Sequence, residues 1–375
     1  MSHTNPENTA LWLNAKRADF TVAPAPYAAP RAGEILLRVH AVAVNPMDRL
    51  VRTIGGLVTP WLEYPFIAGS DVAGVVAAVG EGVTRFAVGE RVLGFAAGAD
   101  KGHRAAEGAF QHYAILPAHM AAPLPERLSF AQGSVLPLAL STAATGLFEA
   151  DCLALGHPSA TPQAKGQTLL IWGGSTSVGS NAIQLAVAAG YDVITTASPR
   201  NFDYVTRLGA RQAFDYNSKR AIPDIIAALK GRRVAGALAI GQGAAGACIA
   251  VLGACQGNRF VAMANPPASF DQVPAGKGRL RHLVPTLARV IVGGIGLAIR
   301  ARRNGVRTKM IWGSALLNTD VGPMIWESFL PSALADGRFV AAPEPVIVGH
   351  GLGAIPEALD RQLAGVSARK LVVTL

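Results

Sequence analysis

The chain has 375 residues, too many for one small core and enough for two domains. Half of them are hydrophobic and 15% are charged, which excludes extended disorder. The net charge of +10 invites a nucleic-acid reading, but the excess is local: Lys277, Arg279, Arg281, Arg289, Arg300, Arg302, Arg303, Arg307 and Lys309 share one stretch without an acid, and no aromatic residue lies between Phe270 and Trp312 to stack on bases. No nucleic-acid partner is expected.

The opening "MSHTNPENTALWLNAKRADF" lacks the basic start, apolar block and small-residue site of a secretory signal, so a cytoplasmic location is expected. Cys152, Cys248 and Cys255 are odd in number and form no C-x-x-C pair, against a disulfide framework and against a cysteine-rich zinc site.

Residues 32–95 alternate short β-rich runs with glycine turns ("EILLRVHAVAVN", "DVAGVVAAVG", "ERVLGF") and predict a small, strongly bent β domain. From about residue 139 strand-like and helix-like segments take turns, from "TLLIW" and "SNAIQLAVAAG" through "DVITTAS" to "RFVAMA", which predicts a parallel sheet with crossover helices. In the basic stretch, "LVPTLARVIVGGIGLAI" (283–299) is apolar apart from Arg289, slightly short of a membrane span and interrupted by Pro285 and glycines. It reads as a helix covering a pocket or a subunit contact, with attachment to a membrane surface as the alternative; a membrane partner is not the expectation. "KMIWGSALL" (309–317) predicts a late strand and "MIWESFLPSALADGRF" a helix, after which strands in "PEPVIVG" and "KLVVTL" are expected to rejoin the first domain. The fold class is therefore α/β: a β-rich domain over 1–138 and 321–375, and a doubly wound parallel sheet over 139–320.

Between "TLLIW" and the helix pattern stands "GGSTSVG", residues 173–179. A helix that starts where a strand ends presents unpaired N–H groups and a dipole that favour an anion. Gly173 and Gly174 permit a tight turn, Gly179 lets the helix pack close to the strand, and Ser175, Thr176 and Ser177, with Val178 in the same turn, offer donors to phosphate. The next strand ends in "TTASPRN" without the acid that would hold a ribose diol: Asp192 is at the wrong end and Asp203 in the next helix. Ser198, Arg200 and Asn201 suit a phosphomonoester instead, so NADPH is the expected cofactor. The alternative for Arg200 is a solvated surface arginine.

"AVAVNPMDRL", "IAGSDVAGVVAAVGEGVTRFAVGERVLGF", "GAFQHYAILPA", "VLPLALSTAATGLF" and "LLIWGGSTSVGSNAIQLAVAAG" follow in the order found in medium-chain dehydrogenases/reductases, and the similarity covers almost the whole chain. The sequence resembles the zinc-free branch of quinone oxidoreductases and enoyl reductases, and "TTASPRNFDYVTRLGARQAFDYNS" is further similar to fungal CipB-like proteins and trans-acting polyketide enoyl reductases. The resemblance implies a GroES-like catalytic domain, a Rossmann domain, a cleft between them, and a homodimer joined edge to edge through the Rossmann sheets as the common assembly.

It also assigns residues. Zinc-dependent relatives place cysteine and histidine where this chain has Asn45 and Ser70 and a second cysteine near Leu138, with Asp71 as the acid after the histidine, and the four-cysteine structural lobe has no counterpart around 96–108. No metal is expected; His103, His112 and His119 read as surface or packing residues. By resemblance the segment holding Asn45, Pro46 and Asp48 approaches the nicotinamide, with Asn45 an amide donor in the lost metal position; for Asp48 the preferred reading is that it holds local structure, with a cofactor contact as the other. Thr142 is the hydroxyl expected to orient the nicotinamide or a substrate carbonyl, unless it is an ordinary helix-start hydroxyl. Tyr216 resembles an adenosine-side contact, with a core or turn tyrosine as the alternative. Met263 and Ala264 end a strand bordering the ligand crevice. Ser367 and Lys370 match a segment that returns beside the cofactor, although Lys370 would also serve as a charge on an edge strand. The expected reaction is hydride delivery to an activated C=C bond of an enone or enoyl thioester, or to a quinone, with a small molecule as partner; a stand-alone polyketide enoyl reductase and a non-catalytic NADPH- or nucleic-acid-binding protein are the alternatives.

Overall fold

A computed structural model describes residues 6–102 and 104–375. The chain divides into two units, 1–138 with 271–279 and 326–375, and 139–270 with 280–325. Residues 271–279 thus join the first unit from deep within the predicted second domain, and the chain returns after Ile325 rather than after Asp320.

The first unit opens with β1 (Asn8–Leu13), β2 (Phe20–Ala25), β3 (Glu34–Ala43), α1 (Pro46–Val58), β4 (Phe66–Ile67), β5 (Asp71–Val79), β6 (Arg91–Phe95), β7 (Tyr113–Pro117), β8 (Ala121–Pro123) and α2 (Phe130–Ser134). Its apolar residues sit at strand spacing, and Ile35, Leu37, Val39, Val72, Val76, Val92 and Leu116 close one core. Helix α1 starts where Pro46 suits the first helical position and Asp48 reaches back to accept the Asn45 amide.

Helix α3 (Pro137–Phe148) carries the chain into the second unit, which follows with β9 (Gln167–Trp172), α4 (Ser177–Ala188), β10 (Asp192–Ala197), α5 (Phe202–Arg207), β11 (Gln212–Asp215), α6 (Ala221–Ala228), β12 (Arg233–Ala239), α7 (Ala244–Gly253), β13 (Gln256–Gly257), β14 (Phe260–Met263), α8 (Arg279–Arg303) and β15 (Arg307–Met310). The sheet runs β11-β10-β9-β12-β14-β15, with β13 beside β12, and every pairing is parallel. Helices cover its faces, which is why β9 and β12 are continuous apolar runs. Strand order reverses between β9 and β12, and such a switch point opens a crevice at the carboxyl ends of the strands.

The predicted late strand is shorter and earlier than "KMIWGSALL": β15 stops at Met310, and Gly313–Asn318 is a 3-10 helix. The predicted helix after it is a succession of short turns, α9 (Val321–Pro323), a π-helical turn over Met324–Phe329, and α10 (Leu330–Ala335). The chain ends in the first unit with β16 (Glu344–His350), α11 (Ile355–Ala364) and β17 (Arg369–Thr374). Strand β17 lies between β16 and β3, so the reading of Lys370 as a charge on an edge strand is wrong. Nor does α8 cover a pocket with its apolar residues: only Leu283, Thr286 and Ala301 of this helix are buried.

Candidate functional site

In the second unit, β9 ends at Trp172 and the chain turns through Gly173 at φ +92°. A side chain would be strained there, and a Cβ would also meet the Ile240 carbonyl oxygen at 2.7 Å. At Gly174 a Cβ would lie 2.1 Å from Thr195 Oγ1, and at Gly179 it would lie 2.2 Å from the Gly173 carbonyl oxygen. The bare backbone is therefore a steric requirement of this turn. The amides of Gly173 and Gly174 donate to Thr196 Oγ1 (3.0 Å) and Thr196 O (2.9 Å), which anchors the turn to β10; sequence reasoning missed this threonine, whose only signal is its place at the end of the strand.

The helix that follows has no preceding turn to accept the amides of Ser177 and Val178. Thr176 does not serve as expected. Its hydroxyl oxygen caps α4 by accepting the Gly179 amide at 3.0 Å, and its proton is committed to the Gly173 carbonyl at 2.7 Å rather than to phosphate. The cradle for an anion is thus backbone N–H with the half-buried Ser175 and Ser177 beside it.

One strand over, β10 ends at Ala197. Ser198 Oγ hydrogen-bonds Tyr216 Oη at 3.2 Å, so two residues singled out separately in the sequence meet at the carboxyl ends of β10 and β11. Tyr216 is 46% exposed and is therefore no core tyrosine. Arg200 is exposed in the turn Pro199–Asn201, whereas Asn201 is buried and turned from the surface. Asp192, at the other end of β10, pairs with Arg211 (2.9 Å) and Arg232 (3.3 Å). Met263 ends β14 and the Ala264 amide donates to Ala239 O at 2.9 Å; their neighbour Asn265, not singled out before, accepts the Gly241 amide at 2.7 Å. Thr142 is half-buried in the second turn of α3, so it is no helix-start hydroxyl.

In the first unit, Asn45, Asp71 and the backbone amide of Leu138, but not the side chain of Ser70, join Lys370 in a polar network. Asp71 is fully buried; Oδ1 accepts the Leu138 amide at 2.6 Å and Oδ2 accepts Asn45 Nδ2 at 2.8 Å. The Lys370 ammonium, itself 5% exposed, stands 2.8 Å from Asp71 Oδ2 and donates to Asn45 Oδ1 at 2.6 Å. A buried carboxylate demands such pairing, and a cation supplies it. This corrects one expectation and decides between two others: Lys370 is engaged by Asp71 and Asn45 rather than reserved for a phosphate, and Asp48 holds local structure as a buried helix-start acid, accepting the Asn45 amide at 2.8 Å, rather than contacting a cofactor. Burial, with Asp71 nearby, pushes the Asp48 carboxyl up to about 7. Pro46 is the first residue of α1 and Ser367 is exposed in the loop before β17.

His103 lies outside the described residues; among them, no three His, Cys, Asp or Glu side chains gather as metal ligands would. The three cysteines are buried, and burial raises each thiol, Cys152 to about 11, which makes them packing residues rather than nucleophiles.

With this geometry in hand, the comparisons with known proteins are direct. Residues 31–126 match the alcohol dehydrogenase GroES-like domain. Over 99% of the chain and all of the relative, the sequence is 47% identical to the dehydrogenase pigH of Monascus ruber. It is 35% identical to the trans-enoyl reductase himH of Aspergillus japonicus, over 98% of this chain and 97% of that one. An alcohol dehydrogenase superfamily protein from Novosphingobium aromaticivorans shares the fold, with a TM-score of 0.72 and 24% identity over 98% of this chain and 99% of the other. The chain belongs to the medium-chain dehydrogenase/reductase superfamily, whose members use a nicotinamide cofactor, and it is an oxidoreductase.

Proposed function

We propose that the protein is an NADPH-dependent, metal-independent reductase of activated double bonds (enones, enoyl thioesters) or quinones. The observation that carries the cofactor is the cradle at Gly173, Gly174 and Gly179, where a Cβ would strike the backbone or Thr195. A pyrophosphate fits such bare backbone, and the amides of Ser177 and Val178 would hold it. Ser198, Tyr216 and Arg200, at the ends of β10 and β11, would hold the 2′-phosphate, Arg200 as the charged donor. When bound, NADPH supplies the hydride.

The chain's own part is to orient and to stabilise charge. Thr142 is assigned the carboxamide side of the nicotinamide or a substrate carbonyl. Asn45 gives an amide hydrogen to Asp71, while the Lys370 ammonium on its oxygen polarises the amide and strengthens its N–H groups as donors. Negative charge developing on a substrate oxygen would be met by such a donor. Support for metal independence comes from Lys370: the Asp71 carboxylate is already charge-paired, and the Asn45 amide oxygen already hydrogen-bonded, by a buried ammonium.

A second reading, a trans-acting enoyl reductase of a polyketide pathway, is favoured by the similarity to a trans-enoyl reductase over nearly both whole chains. One assay series tests both: oxidation of NADPH with enones, quinones, free and carrier-bound enoyl thioesters and aldehydes, with NADH in parallel and with chelator or added zinc. Turnover of the alkenes or quinones that withstands chelation supports the proposal. Preference for NADH, or zinc-stimulated turnover of aldehydes alone, overturns it, and the second reading fails if only small enones and quinones react.

A further inference from the structure

The least accounted-for feature lies outside both residue clusters described above. Helix α8 exposes Leu280 (68%), Val284 (60%), Ile291 (62%), Val292 (69%), Ile295 (58%) and Ile299 (48%). At about 100° per residue these side chains, with Ala288 between them, cover one arc of roughly 120°. Six large aliphatic residues in a single stripe are not the scattered exposure of an ordinary surface. The opposite side, with Leu283, Thr286 and Ala301, is the side this helix buries.

The charge around the stripe is of one sign. Arg281, Arg289, Arg300, Arg302 and Arg303 lie along the same helix, and no acidic residue occurs between Asp271 and Asp320. On the same wheel Arg281 in the first turn and Arg302 in the last fall within the apolar arc and close its two ends, Arg303 borders it, and the exposed Arg289 and Arg300 lie beyond it. A second copy of this helix fits poorly, because either direction of pairing would bring arginines together with no carboxylate between them. An anionic lipid surface meets both properties at once: aliphatic side chains sink below the headgroups while guanidinium groups stay among the phosphates.

We infer that α8 is a docking surface for an anionic lipid bilayer, lying in its interface with Leu280, Val284, Ile291, Val292, Ile295 and Ile299 facing the acyl chains. Among the described residues α8 is the helix long and apolar enough to cross a membrane by length and composition. Spanning is excluded by its connections: β14 and β15, which precede and follow it, are adjacent strands of one sheet, so both helix ends belong on the same side of a bilayer. The inference stands on the helix alone and does not depend on which reaction the protein performs.

The test is flotation of the full chain with phosphatidylcholine vesicles, with and without phosphatidylserine, at low and high salt. Expected is binding to the anionic vesicles that weakens at high salt, a fall of about thirtyfold in affinity for R281Q/R303Q, and loss of binding for I291S/V292S/I295S. The substituted side chains are exposed, so unchanged thermal melting of the variants serves as the folding control. Absence of binding, or equal binding to both vesicle types, overturns the inference. So does a dimer in solution that the triple serine variant converts to monomer, since a second copy would then be the occupant of the stripe.

Discussion

The ammonium of Lys370 lies 2.8 Å from the carboxylate of Asp71, and both side chains are buried. Each charge is buried only because the other is there. Lys370→Met should therefore cost about 3–5 kcal/mol in denaturant unfolding, since it strands a buried anion. The double variant Lys370→Met/Asp71→Asn should recover a large part of that loss. A double variant no better than the sum of its singles would show that the pair is not coupled.

Asp48 ties the same region to pH. Its carboxyl is raised in the folded chain to about 7 from an ordinary 3.8, so between these values the folded state holds a proton that the unfolded chain has released. Its contribution is complete below about pH 4, falls as pH rises toward 7 and is absent above, with a slope of at most about 1.4 kcal/mol per pH unit. Asp48→Asn should flatten this part of the stability curve. An unchanged slope in urea melts from pH 4 to 8 would remove Asp48 from the account.

The glycine turn makes a steric prediction. In Gly179→Ala the new methyl would lie 2.2 Å from the Gly173 carbonyl oxygen, so either the turn or α4 must shift. A loss of about 1–3 kcal/mol in stability and at least tenfold in NADPH affinity is expected, by melting and by fluorescence titration. Ser177→Ala leaves the backbone cradle in place and should cost less than either figure.

Selectivity between the two nicotinamide cofactors is assigned to Arg200. Arg200→Ala should weaken NADPH by about tenfold or more, as loss of a charge-assisted bond does, and leave NADH nearly unchanged. Equal loss for both cofactors would move the 2′-phosphate away from the end of β10.

Thr142 separates orientation from binding. Thr142→Val keeps the shape of this half-buried position and removes the hydroxyl, so kcat should fall more than tenfold with NADPH affinity little changed. A loss confined to affinity would make the hydroxyl a binding group only.

What the sequence determined by itself is local in the chain. Alternating β-rich and helical texture marked the parallel sheet, because periodicity and turn chemistry act over a few residues. The glycines of 173–179 were legible because a turn this tight excludes side chains, and the missing acid at the end of β10 was legible from strand length alone. Tertiary structure decided the rest. Lys370 and Asn45 are 325 residues apart, and only the register of β17 on β3, with Val372 opposite Ala43, brings the ammonium to Asn45 and Asp71. Thr176 read as a phosphate donor until its proton was found on the Gly173 carbonyl, and the apolar run of α8 read as covering a pocket or a subunit contact until burial showed that its apolar stripe covers no pocket of this chain. Charge pairing, hydroxyl direction and exposure depend on neighbours distant in sequence, which periodicity and spacing do not encode.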